Sequence, residues 1–163
     1  MNEHVVVMGV SGTGKSTVGR LLAERLGAVF VEGDDLHPAA NVASMRAGIP
    51  LTDEQRAPWL EAVRDAMDGP GTVVACSALR RRYRDVLRGA DGRVRFVHLV
   101  VAPDELARRL GQRAGHFMPA SLLASQLATL EPLEPDEDGI DVVVADSVEA
   151  TADAVIKALT TRS

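Results

Sequence analysis

"VVVMGVSGTGKSTVGRLLAERLG", Val5 to Gly27, holds the pattern that decides the architecture. It opens on an unbroken apolar run, Val5 to Met8, of the kind a strand buried on both faces carries. It closes on a helical segment, "STVGRLLAERLG", with Val18, Leu21, Leu22 and Leu26 on one stripe and Gly27 as the stop. Between the two lies "GVSGTGKS", Gly9 to Ser16, which fits G-x-x-x-x-G-K-[ST] in the strand-to-helix context that its mechanism requires. The glycines let the main chain wrap phosphates, and the helix start turns free N–H groups and positive partial charge on them. Gly9, Ser11, Gly12, Thr13, Gly14, Lys15, Ser16 and Thr17 are therefore assigned to a nucleoside triphosphate. Lys15 is the group that reaches the terminal phosphates, and the Ser16 hydroxyl is the expected ligand for Mg2+.

Outward from this segment, four more short apolar runs alternate with helical stretches: "AVFV" (Ala28 to Val31), "TVVA" (Thr72 to Ala75), "RFVHLVV" (Arg95 to Val101) and "DVVVA" (Asp141 to Ala145). Continuous apolar strands separated by helices predict a doubly wound α/β fold, a five-stranded parallel sheet with helices on both faces. "LTDEQRAPWLEAVRDAM" opens with Thr52 and has Gln55 three residues on, a capping box. "APDELARRLGQR", with Pro103 in the first turn, and "DSVEATADAVIKAL" also read as helices.

A length of 163 residues suits one domain, 1–163, with a single active unit. The net charge of −5 speaks against broad binding of nucleic acid, and the short run Arg80 to Arg84 reads as exposed helix charge or a local anion site. One cysteine, Cys76, allows no intrachain disulfide. No apolar run approaches the ~20 residues of a membrane span, and no leader pattern opens the chain, so a cytoplasmic protein without a membrane partner is expected.

What receives the phosphoryl group must be read elsewhere. "EGDDLHPAAN", from Glu32 to Asn41, follows the second strand, at the end of the sheet where ligands of open α/β folds bind. A carboxylate there can orient a hydroxyl, accept its proton or hold Mg2+ through water. Asp34 and Asp35 are not separable on this ground, and either can instead cap the next helix. After the fourth strand, "LARRLGQRAGHFMPASLLASQ" has the organisation of a lid, approximately 108–131. Three arginines within a turn and a half cannot all point inward; Arg109 and Arg113, four apart, share a face and are the pair expected to neutralise charge on the moving phosphoryl group.

The ordered set "MGVSGTGKST", "GDDLHP", Asn41, Met45, "GIPLTDEQRAPWL", "CSALRRRYRD", "GHFM" and "SQLATLE" resembles the gluconate kinase family over nearly the whole chain. The resemblance implies a P-loop kinase fold with a small helical lid, ATP and Mg2+ as cofactors, transfer to the 6-hydroxyl of D-gluconate, and a homodimer. It makes Asp34, in "GD-x-L-H-P", the group that grips and deprotonates the hydroxyl. It also makes Arg80 and His116, in the "CSAL" and "GHFM" motifs, candidates for contacting the substrate; His37 can donate to a hydroxyl or carboxylate, and Arg46, the nearest guanidinium on the following helix though not a residue the family keeps there, suits a planar carboxylate. His37 is alternatively a loop histidine, and Trp59 is read as packing. Two departures stand out: Cys76 and Ser77 occupy the end of the third strand, where many P-loop enzymes place an aspartate for the metal, and Arg80 replaces the usual lysine. A related kinase acting on shikimate or another sugar acid, and a nucleotide-dependent switch without an acceptor, are the alternatives.

Overall fold

The computed structural model describes residues 3–102, 104, 105, 108 and 121–161. Five strands, β1 (Glu3–Met8), β2 (Val29–Glu32), β3 (Gly71–Ala75), β4 (Arg93–Val100) and β5 (Gly139–Val143), form one sheet. Their order is β2-β3-β1-β4-β5 and every pairing is parallel. The helices are α1 (Lys15–Leu26), α2 (Ala39–Arg46), α3 (Asp53–Ala66), α4 (Arg81–Leu87), α5 (Ser121–Thr129) and α6 (Val148–Thr161).

Alternation along β1 divides the interior into two cores. Val6 and Met8, with Val74 and Phe96, meet Trp59, Leu60, Val63 and Met67 of the α3 region and Tyr83 and Leu87 of α4. Val5 and Val7, with Val73 and Val97, meet Val18, Leu22 and Ala23 of α1 and Val155 and Leu159 of α6. Both faces of the central strands are thus withdrawn from water, which is why they read as unbroken apolar runs.

The outer strands behave differently. β5 starts at Gly139, before the apolar run, and alternates: Ile140 and Val142 are buried while Asp141 and Val143 are exposed. Val29 of β2 is also exposed, as is Leu26 in the last turn of α1; the buried face of that helix is Val18, Gly19, Leu22 and Ala23. An edge strand has a neighbour on one side only, and its helical cover ends with the sheet. The predicted capping box is present: Thr52 Oγ1 accepts from Gln55 N at 3.1 Å, and Thr52 N donates to Gln55 Oε1 at 2.9 Å. Among the described residues no helix is long and apolar enough to cross a membrane.

The register aligns Glu32 with Ala75, and Ala75 with Val7, so the chain leaves β1, β2 and β3 along one edge of the sheet. The 3-10 turn after β2, Gly33–Leu36, lies directly on β3: a Cβ at Gly33 would fall 2.4 Å from the Ala75 carbonyl oxygen. Glycine there is a steric requirement, and it brings Asp34 beside the phosphate loop.

Candidate active site

The phosphate loop is held by its own hydrogen bonds. Gly9 N donates to Ser77 O at 3.2 Å, tying the loop to the exit of β3, and Thr13 Oγ1 donates to Val10 O at 3.1 Å. Gly9 and Gly14 have φ of 144° and 90°, and a Cβ at Gly9 would meet the Leu99 carbonyl at 3.1 Å. Lys15 Nζ donates to Val10 O at 3.0 Å, folding the ammonium back over the loop. The Ser16 hydroxyl donates to the Glu32 carboxylate, so two oxygen donors stand together where β2 ends and α1 begins. From the other side, Gln126 of α5 accepts from Ser11 N at 2.6 Å, joining that helix to the loop.

Facing the loop is a wall built from the turn after β2 together with α2 and α3. Asp34 projects from it with 43% of its side chain exposed, while the His37 side chain is 3% exposed. The His37 ring stacks on Trp59, centroids 4.1 Å apart and planes 15° off parallel, and Trp59 Nε1 donates to Gly33 O at 2.7 Å. Burial lowers the His37 imidazole from the ordinary 6.5 to about 4; Asp34 opposes this and Arg56 adds to it. The ring is therefore neutral at physiological pH. Arg56 reaches the cleft from α3, its Nη1 donating to the Tyr83 hydroxyl at 2.9 Å and its guanidinium lying over that ring. One cleft is lined by the phosphate-loop residues Ser11, Gly12, Gly14, Lys15, Ser16 and Thr17, by Asp34, His37, Arg56 and Trp59, and by Ser125, Gln126 and Thr129 of α5. A separate depression runs from Gly12, Thr13 and Thr17 to the segment 144–147 and the first turn of α6, Val148 and Thr151.

Phosphate loop and carboxylate wall in one cleft are the parts of a phosphotransferase acting on a small acceptor, and comparison with known proteins is specific. Residues 5–133 match the family model described as an AAA domain. The chain is 54% identical over 162 residues to a gluconokinase of Gluconobacter oxydans, covering 96% of this chain and 89% of that one. The chain belongs to the gluconokinase family. Two solved structures agree: a gluconokinase from Sinorhizobium meliloti (TM-score 0.84, 44% identity, 99% of this chain and 97% of that one) and an unliganded sugar kinase from Janibacter sp. (TM-score 0.93, 47% identity, 98% and 95%). The fold is that of a P-loop kinase.

In this gluconokinase-family cleft the two neighbouring aspartates part company: Asp34, the one the motif resemblance favours, lines it and Asp35 is exposed outside it. Arg46 ends α2 on an exposed position and does not line the cleft; Met45 beside it does. Arg80 stands at the N-cap of α4, off the cleft, with its Nε buried and unpartnered among the described residues. Arg109, Arg113 and His116 lie outside the described residues, and Arg108 is exposed and paired with Glu105. Arg56, which the sequence reading did not single out, also lines the cleft. The signal for it was its place in "LTDEQRAPWL", one turn before Trp59 on the same helix face. Cys76 is wholly buried, which pushes its thiol up to about 12, and it is chemically quiet. His98 is buried, with Nδ1 3.2 Å from Asp141 Oδ1, a satisfied histidine of β4.

Ser16 and Glu32 supply hard oxygen donors suited to a divalent cation such as Mg2+. Among the described residues no three His, Cys, Asp or Glu side chains converge to bind a metal by themselves. Further ligands of an ion held there would be phosphate oxygens and water.

Proposed function

We propose that this chain transfers the γ-phosphoryl group of ATP to the 6-hydroxyl of D-gluconate, giving 6-phospho-D-gluconate and ADP. The observation that carries the reading is the placement of Asp34 and His37 across one cleft from Lys15 and Ser16, in a chain belonging to the gluconokinase family. The triphosphate lies on the loop amides at the start of α1, with Lys15 swinging from Val10 O onto its terminal phosphates. Asp34 orients the 6-hydroxyl and takes its proton as oxygen attacks the γ-phosphorus in line, and ADP departs; no covalent enzyme intermediate forms. Gluconate carries a carboxylate, and Arg56 is the guanidinium in the cleft to meet it. Mg2+, when bound through Ser16 and, by way of water, Glu32, supplies charge neutralisation at the phosphates.

The remaining assignments extend this reading. A lid of about residues 108–131 closes over the reactants, with Arg109 and Arg113 meeting the developing charge and His116 meeting substrate. Arg46 and Arg80 contribute only if closure turns them toward the cleft. The protein works as a cytoplasmic homodimer without nucleic-acid or membrane partners, and light scattering on the purified chain tests the dimer.

The deciding experiment is ADP release from MgATP with no acceptor, with D-gluconate, with shikimate and with a panel of sugar acids, the product identified by mass and NMR. Gluconate-dependent release with phosphate on the 6-oxygen is the expected result. Release no faster than in buffer overturns the acceptor assignment.

A further inference from the structure

Asn41, the third residue of α2, is 3% exposed, and its side-chain nitrogen serves two partners: Gln55 O at 2.9 Å and His37 Nδ1 at 3.2 Å. The first contact fixes the amide. Gln55 O is a carbonyl and only accepts, so the group against it is the NH2; a flipped amide would press oxygen on oxygen in a buried place. The second N–H of that NH2 then points at His37 Nδ1, which must present its lone pair. In the neutral ring the proton is left on Nε2. Nε2 is the nitrogen that faces Asp34, 3.9 Å from Oδ1. That gap is too long for a direct hydrogen bond and admits one oxygen about 2.8 Å from each group. The stack on Trp59 and the bond from Trp59 Nε1 to Gly33 O hold ring and turn in a single frame, leaving the tautomer to Asn41.

We propose that Asn41 is a positioning residue that locks His37 as the Nε2–H tautomer, so that the acceptor wall offers an N–H donor and a carboxylate acceptor to the same substrate hydroxyl. The inference rests on the acceptor site proposed above. A hydroxyl satisfies both groups at once, giving its proton to Asp34 and accepting from His37, whereas a carbonyl at the same carbon only accepts and leaves Asp34 unpartnered. The pair is thus a device for selecting an alcohol at the reacting carbon. It also aims the hydroxyl proton at Asp34, leaving an oxygen lone pair for the phosphorus.

The test begins with long-range 1H–15N correlation of the imidazole rings in the ligand-free protein at pH 7, the His37 signals assigned by their loss in His37→Gln. The expected pattern is a protonated Nε2 and a pyridine-like Nδ1. Asn41→Asp puts an acceptor against Nδ1 and is expected to move the proton there, with gluconate kcat/KM down at least tenfold and the KM for ATP within twofold of the parent. Asn41→Ala, should the aspartate variant fail to fold, is expected to give a mixture of tautomers and an intermediate loss. A protonated Nδ1 in a gluconate-active wild-type protein overturns this inference alone, as does a switched or mixed tautomer with gluconate kcat/KM within twofold of the parent. Absence of gluconate turnover in the wild-type chain removes both this inference and the reading on which it rests.

Discussion

Asp34 is the carboxylate of the acceptor wall that faces the phosphate loop across the cleft. Asparagine in its place keeps the shape and one acceptor oxygen but takes no proton, so Asp34→Asn is expected to lower gluconate-dependent kcat about 10²-fold, the low end for general-base removal, because a loose phosphoryl transition state asks little early deprotonation. Steady-state kinetics with an unchanged circular dichroism spectrum checks this, and near-normal turnover would deny the carboxylate an essential part. His37 yields a different prediction. Its folded value of about 4 lies below the ordinary 6.5, so between these limits the unfolded chain binds a proton that the folded one refuses. The contribution of the neutral ring is intact above pH 6.5 and is lost as pH falls toward 4. Urea melts from pH 7 to 4 should show the parent losing stability more steeply than His37→Gln, by at most about 1.4 kcal/mol per pH unit. Parallel curves would mean that the ring charges as freely in the fold as out of it.

At the scale of elements, the capping box of α3 matters because that helix carries both Arg56 and Trp59 into the cleft. Thr52→Ala leaves the Gln55 N–H without its acceptor and is expected to cost about 1 kcal/mol in chemical denaturation, with a smaller effect from Thr52→Ser. This cap, the phosphate loop and the central strands were legible in the sequence because each is a local matter: spacing, side-chain oxygen, continuous burial. What was not legible depends on packing direction. Arg46 and Arg56 both follow the "GDDLHP" turn on helices, and only the way α2 and α3 lie against it sends Arg56 into the cleft and leaves Arg46 outside. Asp34 was favoured over Asp35 by the motif resemblance, but position alone did not separate these neighbours, and the contact of Gly33 with β3 supplies the physical reason that Asp34 lines the cleft. The exposed half of β5 was hidden for a similar reason, since an apolar run does not say whether its strand ends up inside or at the edge.

Across the whole molecule, the exit of β3 and the segment that leads from α5 into β5 are fastened by one buried ion pair. Arg84, fully buried, donates from Nε and Nη2 to the two Glu137 carboxylate oxygens at 2.7 and 2.9 Å. Its Nη1 donates to Ala78 O at 2.9 Å, and its Nη2 also lies 3.3 Å from Pro132 O. Ala78 takes a φ of 46°, a left-handed conformation that a non-glycine residue holds only when its surroundings insist. Burial raises the Glu137 carboxyl, but hydrogen bonds from Arg84, the Glu134 amide and Arg88 outweigh it and hold the group at about 2. Glu137→Leu leaves the buried guanidinium without its counter-charge and is expected to destabilise by about 3–5 kcal/mol, whereas Arg84→Met combined with Glu137→Leu should recover at least half of that. Equilibrium denaturation of the parent, both single variants and the double variant closes the cycle. Equal loss in single and double variants would mean that packing, and not the uncompensated charge, sets the cost.

Trp59 is the only tryptophan in the chain, and it stands on the acceptor wall in face-to-face contact with an imidazole. Nearly all near-ultraviolet emission of the protein therefore originates from one ring at the place where the hydroxy acid is expected to sit. Imidazolium quenches indole emission by accepting an electron, and neutral imidazole does so far less. The intensity of the unlabelled protein accordingly reports the charge on His37. Filling of the acceptor pocket becomes visible by light alone, without nucleotide, coupling enzymes or an attached dye.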